Sequence, residues 1–161
     1  MTVITAAELK FYETTTGPHR GGAITAVEVT PGTLFDAVTG AEAAAGSVEY
    51  RACYFKNTSA NANGLQGAKI WIETQTPGAD DVAIALAGEG ANAAIEVIAD
   101  FNTPPAGEAF TAPTNYATGL SLGTLAQNGY YGFWLKRTVP AACAAYNADS
   151  FVIKVQGDSS A

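Results

Sequence analysis

"GYYGFWLKRTV", residues 129–139, decides how this chain folds. Read with a period of two, one set of side chains is Tyr131, Phe133, Leu135, Arg137 and Val139. The other set is Tyr130, Gly132, Trp134, Lys136 and Thr138. A strand covered on one face alone alternates apolar with polar residues. Here both sets carry large aromatics, so the stretch reads as a central strand with material packed on each side. Residues 48–56 behave in the same way, with Tyr50 and Tyr54 on one parity and Phe55 on the other. Two coverings of the second face are open: a loop or the N-terminal segment of the same chain, or a neighbouring subunit.

Working outward, Gly, Pro, Asn and Asp punctuate the sequence about every ten residues, the spacing of many short strands. Strands are expected over 9–13, 23–29, 48–56, 68–74, 82–87, 95–99, 130–139 and 151–156. "KIWIE" (69–73) puts Ile70 and Ile72 on one face, and "FVIKVQ" (151–156) does the same with Phe151, Ile153 and Val155. One helical signal stands apart. In "TGAEAAAG" (39–46), Thr39 precedes Glu42 at capping-box spacing and Gly46 is placed to stop the turn. Many strands, one short helix and no βαβ alternation point to an all-β domain over residues 1–161, an antiparallel two-sheet sandwich. A jelly-roll-like order is the first expectation and an immunoglobulin-like order the second. Residues 1–12 read as a possible N-terminal arm. Residues 100–119, with three prolines and two glycines, read as a long functional or mobile loop.

The formal net charge of −7 and the pI near 4.5 give no basic footprint for nucleic acid and disfavour anionic lipid. No apolar run reaches the roughly eighteen residues that span a bilayer, and the start lacks a secretory pattern. Cys53 and Cys143 lie far apart and outside any CxxC motif, so two reduced thiols are expected, with a single disulfide between them as the alternative.

Catalytic chemistry finds little purchase. The single histidine, His19, sits in a Pro/Gly-rich loop, with no sign of the serine and carboxylate partners that Ser-His-Asp chemistry would need beside it. One histidine and no cysteine cluster leave no metal site, and no cofactor motif is present. Asp80 and Asp81 read as a turn that caps the following strand. Asn57-Thr58-Ser59 matches a glycosylation acceptor by chance composition. No enzyme is expected. The aromatics are the better lead: Phe11, Tyr12, Tyr130, Trp134 and Lys136 are the candidate partner-contact residues, because Tyr, Trp and cations are enriched at interfaces. An exposed Tyr130–Trp134 pair would equally serve a carbohydrate-binding module.

The order of segments resembles the small β-sandwich decoration, or cement, proteins of tailed-bacteriophage capsids. The likeness runs from about residue 9 to 158, through "LKFYET", "GGAIT" and "GAKIWIETQTPGADDVAIAL". Its most specific pieces are "TGAEAAAGSVEYR…YFKNT" and "LAQNGYYGFWLKRTV…DSFVIKV". The resemblance implies a non-enzymatic virion protein, made in the bacterial host cytoplasm and sited on the capsid exterior. Its partner would be the major capsid protein, whose neighbouring subunits it bridges as a homo-oligomer, a dimer or trimer. A tail or baseplate sandwich is the alternative role.

Overall fold

The structure, a computed structural model, describes residues 3–76, 78–144 and 149–159. The strands are β1 (Leu9–Thr14), β2 (Gly21–Gly22), β3 (Ile24–Glu28), β4 (Ser47–Asn57), β5 (Leu65–Gln75), β6 (Asp81–Ala91), β7 (Ile95–Val97), β8 (Leu120–Leu125), β9 (Tyr130–Val139) and β10 (Phe151–Asp158). They form a five-stranded sheet in the order β3-β1-β4-β9-β6, a three-stranded sheet β10-β5-β8 and a small pair β2-β7. All pairings are antiparallel.

β4 and β9 pair in unbroken register from Ser47↔Val139 to Lys56↔Tyr130, at the middle of the larger sheet. This is the central position that the double-sided aromatic pattern requires. β4, β5, β6, β8, β9 and β10 alternate between the two main sheets. The immunoglobulin order pairs several sequence neighbours within one sheet, so the second expectation is set aside. The core between the sheets takes one parity of each strand: Phe55, Ile70, Ile72, Ile84, Phe133 and Leu135 are all at most 1% exposed.

α1 (Gly40–Ala45) forms as its cap dictates. The Glu42 N–H donates to Thr39 Oγ1 (3.2 Å), and Glu42 Oε2 accepts from the Thr39 N–H (2.7 Å). Gly46 leaves the helix at φ 80°, a left-handed conformation that favours glycine.

Three expectations change. The N-terminal arm is short: residues 9–12 lie inside β1 between β3 and β4, and a 3-10 turn at Ala6–Glu8 precedes them. The first two residues of that proposed arm fall outside the described residues. β8 was not anticipated, because "LSLGTL" follows a Pro/Gly-rich run and is broken by Gly123 at φ 72°. Residues 100–119 are a strap, bonded into both main sheets.

Candidate functional site

The outer face of the large sheet is built from the second parity of β4 and β9. The small β2-β7 pair and the strap cover it. The hinge of this covering is Tyr54, with no measurable exposure. Its hydroxyl donates to the Gly22 carbonyl in β2 and accepts from the Ile95 N–H in β7 at 3.0 Å. One phenol oxygen thus ties both small strands to the sheet beneath. Gly132 explains the missing side chain in the quoted stretch: a Cβ there would sit 2.3 Å from Ile95 Cγ2. Ile95 fills that gap, beside Ala52, Ala85, Ala87, Ile98 and Trp134. Tyr54→Phe should therefore lose about 1–3 kcal/mol by leaving the Ile95 N–H and Gly22 carbonyl without their partner. The check is the urea midpoint at unchanged m-value.

The strap continues this covering. Its Phe101 carbonyl accepts from the Tyr50 N–H (2.7 Å), and Phe110 packs on Tyr50 with ring centroids 5.6 Å apart. Thr111 and Ile84 exchange two backbone bonds at the edge of β6 (2.7 and 2.9 Å). The Pro113 carbonyl then accepts from the Ile72 N–H of β5 (2.9 Å). Tyr116 ends the strap edge-on to Trp71, its hydroxyl donating to the Gly67 carbonyl (2.8 Å). The loop expected to reach outward instead clamps the two sheets along one side.

The candidate contact residues separate accordingly. Trp134 is 0% exposed and packs under β7 and the strap, so it meets no partner and forms no sugar-stacking pair with Tyr130. The carbohydrate-binding reading loses the exposed pair that it needed. Phe11 points inward, edge-on to Phe55 and Phe133 at 5.5 and 5.8 Å. Tyr12, Tyr130 and Lys136 remain half-buried on the outer face. Tyr12 lies under the Lys56 ammonium (5.8 Å), Tyr130 donates to the Asn92 carbonyl (3.1 Å), and the Lys136 ammonium sits 5.5 Å from the Phe110 ring.

A second polar constellation lies on the inner face, and sequence reasoning missed it. Glu49 and Arg137 are direct cross-strand partners on β4 and β9. Glu49 bonds Arg137 through one oxygen and Arg51 through the other, at 3.3 Å. All three are nearly buried, at 8%, 2% and 6% exposure for Glu49, Arg51 and Arg137. The two guanidiniums flank the Phe35 ring, 5.1 and 4.8 Å from its centroid, and Arg51 also stacks 3.6 Å from that of Phe101. They donate to the Leu34 and Asp36 carbonyls (3.0 and 2.8 Å). The cluster therefore fastens the irregular segment 29–39 across the end of the sandwich. Arg137 stood on the inward parity of the quoted stretch, which was the available signal.

Beneath that segment runs a cleft of about 990 Å³, reaching from Phe11 and Phe133 to Phe151 and Ile153. Cys53 and Cys143 both line it and both are free thiols, Cys53 buried and Cys143 half-buried. His19 lies 3.5 Å from the Cys53 sulfur, yet this is no nucleophile–base pair. Its Nδ1 lies 3.1 Å from the Ala52 carbonyl, to which it donates in the neutral tautomer. Burial lowers the His19 pKa and raises that of the Cys53 thiol, so both stay neutral at pH 7. Asn57 is fully buried and its Nδ2 donates to the Leu125 carbonyl (2.9 Å), which closes it to glycosylation.

Asp80 follows the bend at residues 78–79 and directly precedes β6. It shares a hydrogen bond with Asp149, also in the cleft. Burial and this second carboxylate push the Asp80 pKa up to about 6, while the same bond lowers that of Asp149. A raised folded-state pKa stabilises fully below the unfolded value of about 3.8 and loses that contribution as pH rises through about 6. Asp80→Asn replaces the shared proton with a fixed amide donor. It should stabilise the chain by about 1 kcal/mol at pH 8, after allowance for solvent screening. The gain should shrink as pH falls through about 6 and vanish only below about 3.8. Thermal melts of both proteins from about pH 3 to pH 8 check this.

Among the described residues, no three His, Cys, Asp or Glu side chains converge on a metal-sized site, and no helix is long and apolar enough to cross a membrane. Comparison with protein-family models, curated proteins and solved structures gave no match.

Proposed function

We propose that this chain is a structural protein of a tailed-phage virion that binds the outside of the assembled capsid shell. It would stabilise the shell by bridging neighbouring major capsid protein subunits. One observation carries the reading. The segments with the most specific resemblance to capsid decoration proteins are the framework of a single sandwich: the α1 cap, the central β4–β9 pair and β10.

The mechanism is linkage. A protein that binds the assembled lattice better than free subunits stabilises the lattice by the difference. Tight bridging needs contact area, about 800 Å² per partner in a stable interface. Tyr12, Tyr130 and Lys136 offer part of it on the outer face, and the strand edges and sandwich ends offer the rest. A homo-oligomer would multiply the contacts without asking more of each.

Quantitative mass spectrometry of purified particles tests this. Copies near-stoichiometric with the major capsid protein are the expected result. A handful of copies would assign the chain to the tail or baseplate, and none would overturn a virion role.

A further inference from the structure

Resting on that capsid-binding reading, we propose that the free edge of β10 accepts an extended strand from the shell subunit. Alternate apolar side chains of that strand would enter the adjoining cleft.

The two main sheets are unequal, five strands against three. β6 approaches β5 and β8 most closely, so the excess of the larger sheet lies at β1 and β3. There, among the described residues, no strand lies opposite Phe11 of β1 or Val29 just after β3, and both look into the cleft. β10 forms the near wall. The cleft touches Phe151 and Ile153, which point between the sheets, and also Val152, which points away from them. It therefore runs along the strand's edge.

That edge is chemically specific. The Thr76 N–H donates to the Ser150 carbonyl and the Ser150 N–H to Thr76 Oγ1 (both 2.9 Å), so both backbone groups of Ser150 face β5. In an antiparallel ladder the next residue turns its backbone groups the other way, so the N–H and C=O of Phe151 face outward. Ile153 stands opposite Ile72, whose N–H is directed to Pro113 on the far side of β5. Ile153 accordingly turns its own N–H and C=O outward as well. Among the described residues, no backbone bond outside the sheets reaches either one.

A row of donors and acceptors at strand spacing is complementary to another extended polypeptide. β10 is eight residues long, about 26 Å. A strand added there would place every second side chain in the cleft, against Phe11, Phe35 and Phe133. The Asp80–Asp149 pair lines the same cleft with no cation bonded to it among the described residues, whereas Asp36, also on the cleft, already lies 3.7 Å from Arg51. Arg137, the cation nearby, is already held by Glu49. The occupant is thus an apolar strand with a basic side chain at its Asp149 end.

Residue-resolved hydrogen exchange tests this, on the free chain and on the chain bound to purified shells that lack it. The expected result is fast exchange at Phe151 and Ile153 in the free chain and at least tenfold protection on the shell. Binding with unchanged exchange at both amides overturns the strand docking and leaves the capsid reading intact. Failure to bind shells overturns both. Protection that grows with concentration in the free chain would make a second copy the occupant and overturn the shell strand.

Discussion

Trp134→Ala is expected to cost the isolated chain about 3–5 kcal/mol, the range for truncating a large buried aromatic. Trp134 sits at the centre of β9, between β4 and β6, and is completely buried under β7 and the strap. Its removal leaves a void among Ala52, Ala85 and Ala87, and none of these short side chains can swing in to fill it. A domain of this size holds about 5–15 kcal/mol in total, so the variant should unfold at markedly lower urea or temperature. Trp134→Phe keeps much of the buried area and should fall between the two. If Trp134→Ala melted like the parent yet failed to assemble, the packing of the outer layer described above would be wrong.

Glu49→Ala should be comparably severe, about 3–5 kcal/mol, for an electrostatic reason. It strips the carboxylate that lies between two buried guanidiniums, and uncompensated buried charge is far more costly than a missing surface pair. Arg51 keeps its stacking on Phe35 and Phe101 and a 3.7 Å contact with the exposed Asp36 carboxylate, but both guanidiniums lose the buried carboxylate that lies between them. Adding Arg51→Met removes one of the two stranded charges and should recover part of the loss. A variant pair in which the second change deepened the loss would refute this charge account. Because the cluster holds Leu34 and Asp36 by their carbonyls, segment 29–39 should also exchange its amides faster in Glu49→Ala.

The parts of this architecture that were legible in the sequence are those written locally. The double-sided aromatics of 129–139 placed β9 at the sheet centre. Thr39 and Glu42 specified a cap within one turn of chain. What covers the second face was not legible, because the answer lies in residues 95–113 and is delivered largely by backbone. The carbonyls of Phe101, Thr111 and Pro113 do the fastening, and a carbonyl leaves no mark in residue identity. For the same reason a Pro/Gly-rich stretch that looked mobile became a clamp. The Glu49–Arg51–Arg137 cluster needed the register of β4 against β9, which brings Glu49 opposite Arg137 from 88 residues away. Trp134 reads in the sequence as either core or contact surface, because residue type alone cannot tell a buried aromatic from an interfacial one.

The alternation of strands between sheets bears on how the chain reaches its native state. With few hairpins to close early, nearly every pairing must join distant segments, and such topologies fold slowly. β9, the strand that joins β4 to β6, follows both in the chain and so leaves the ribosome after them. Until about residue 139 has emerged, β4 and β6 carry open edges with nothing between them, and the aromatics of β4 lie bare. A nascent chain of this kind is exposed to aggregation for most of its synthesis. It should commit to structure nearly all at once, when the stretch around Trp134 slides into place.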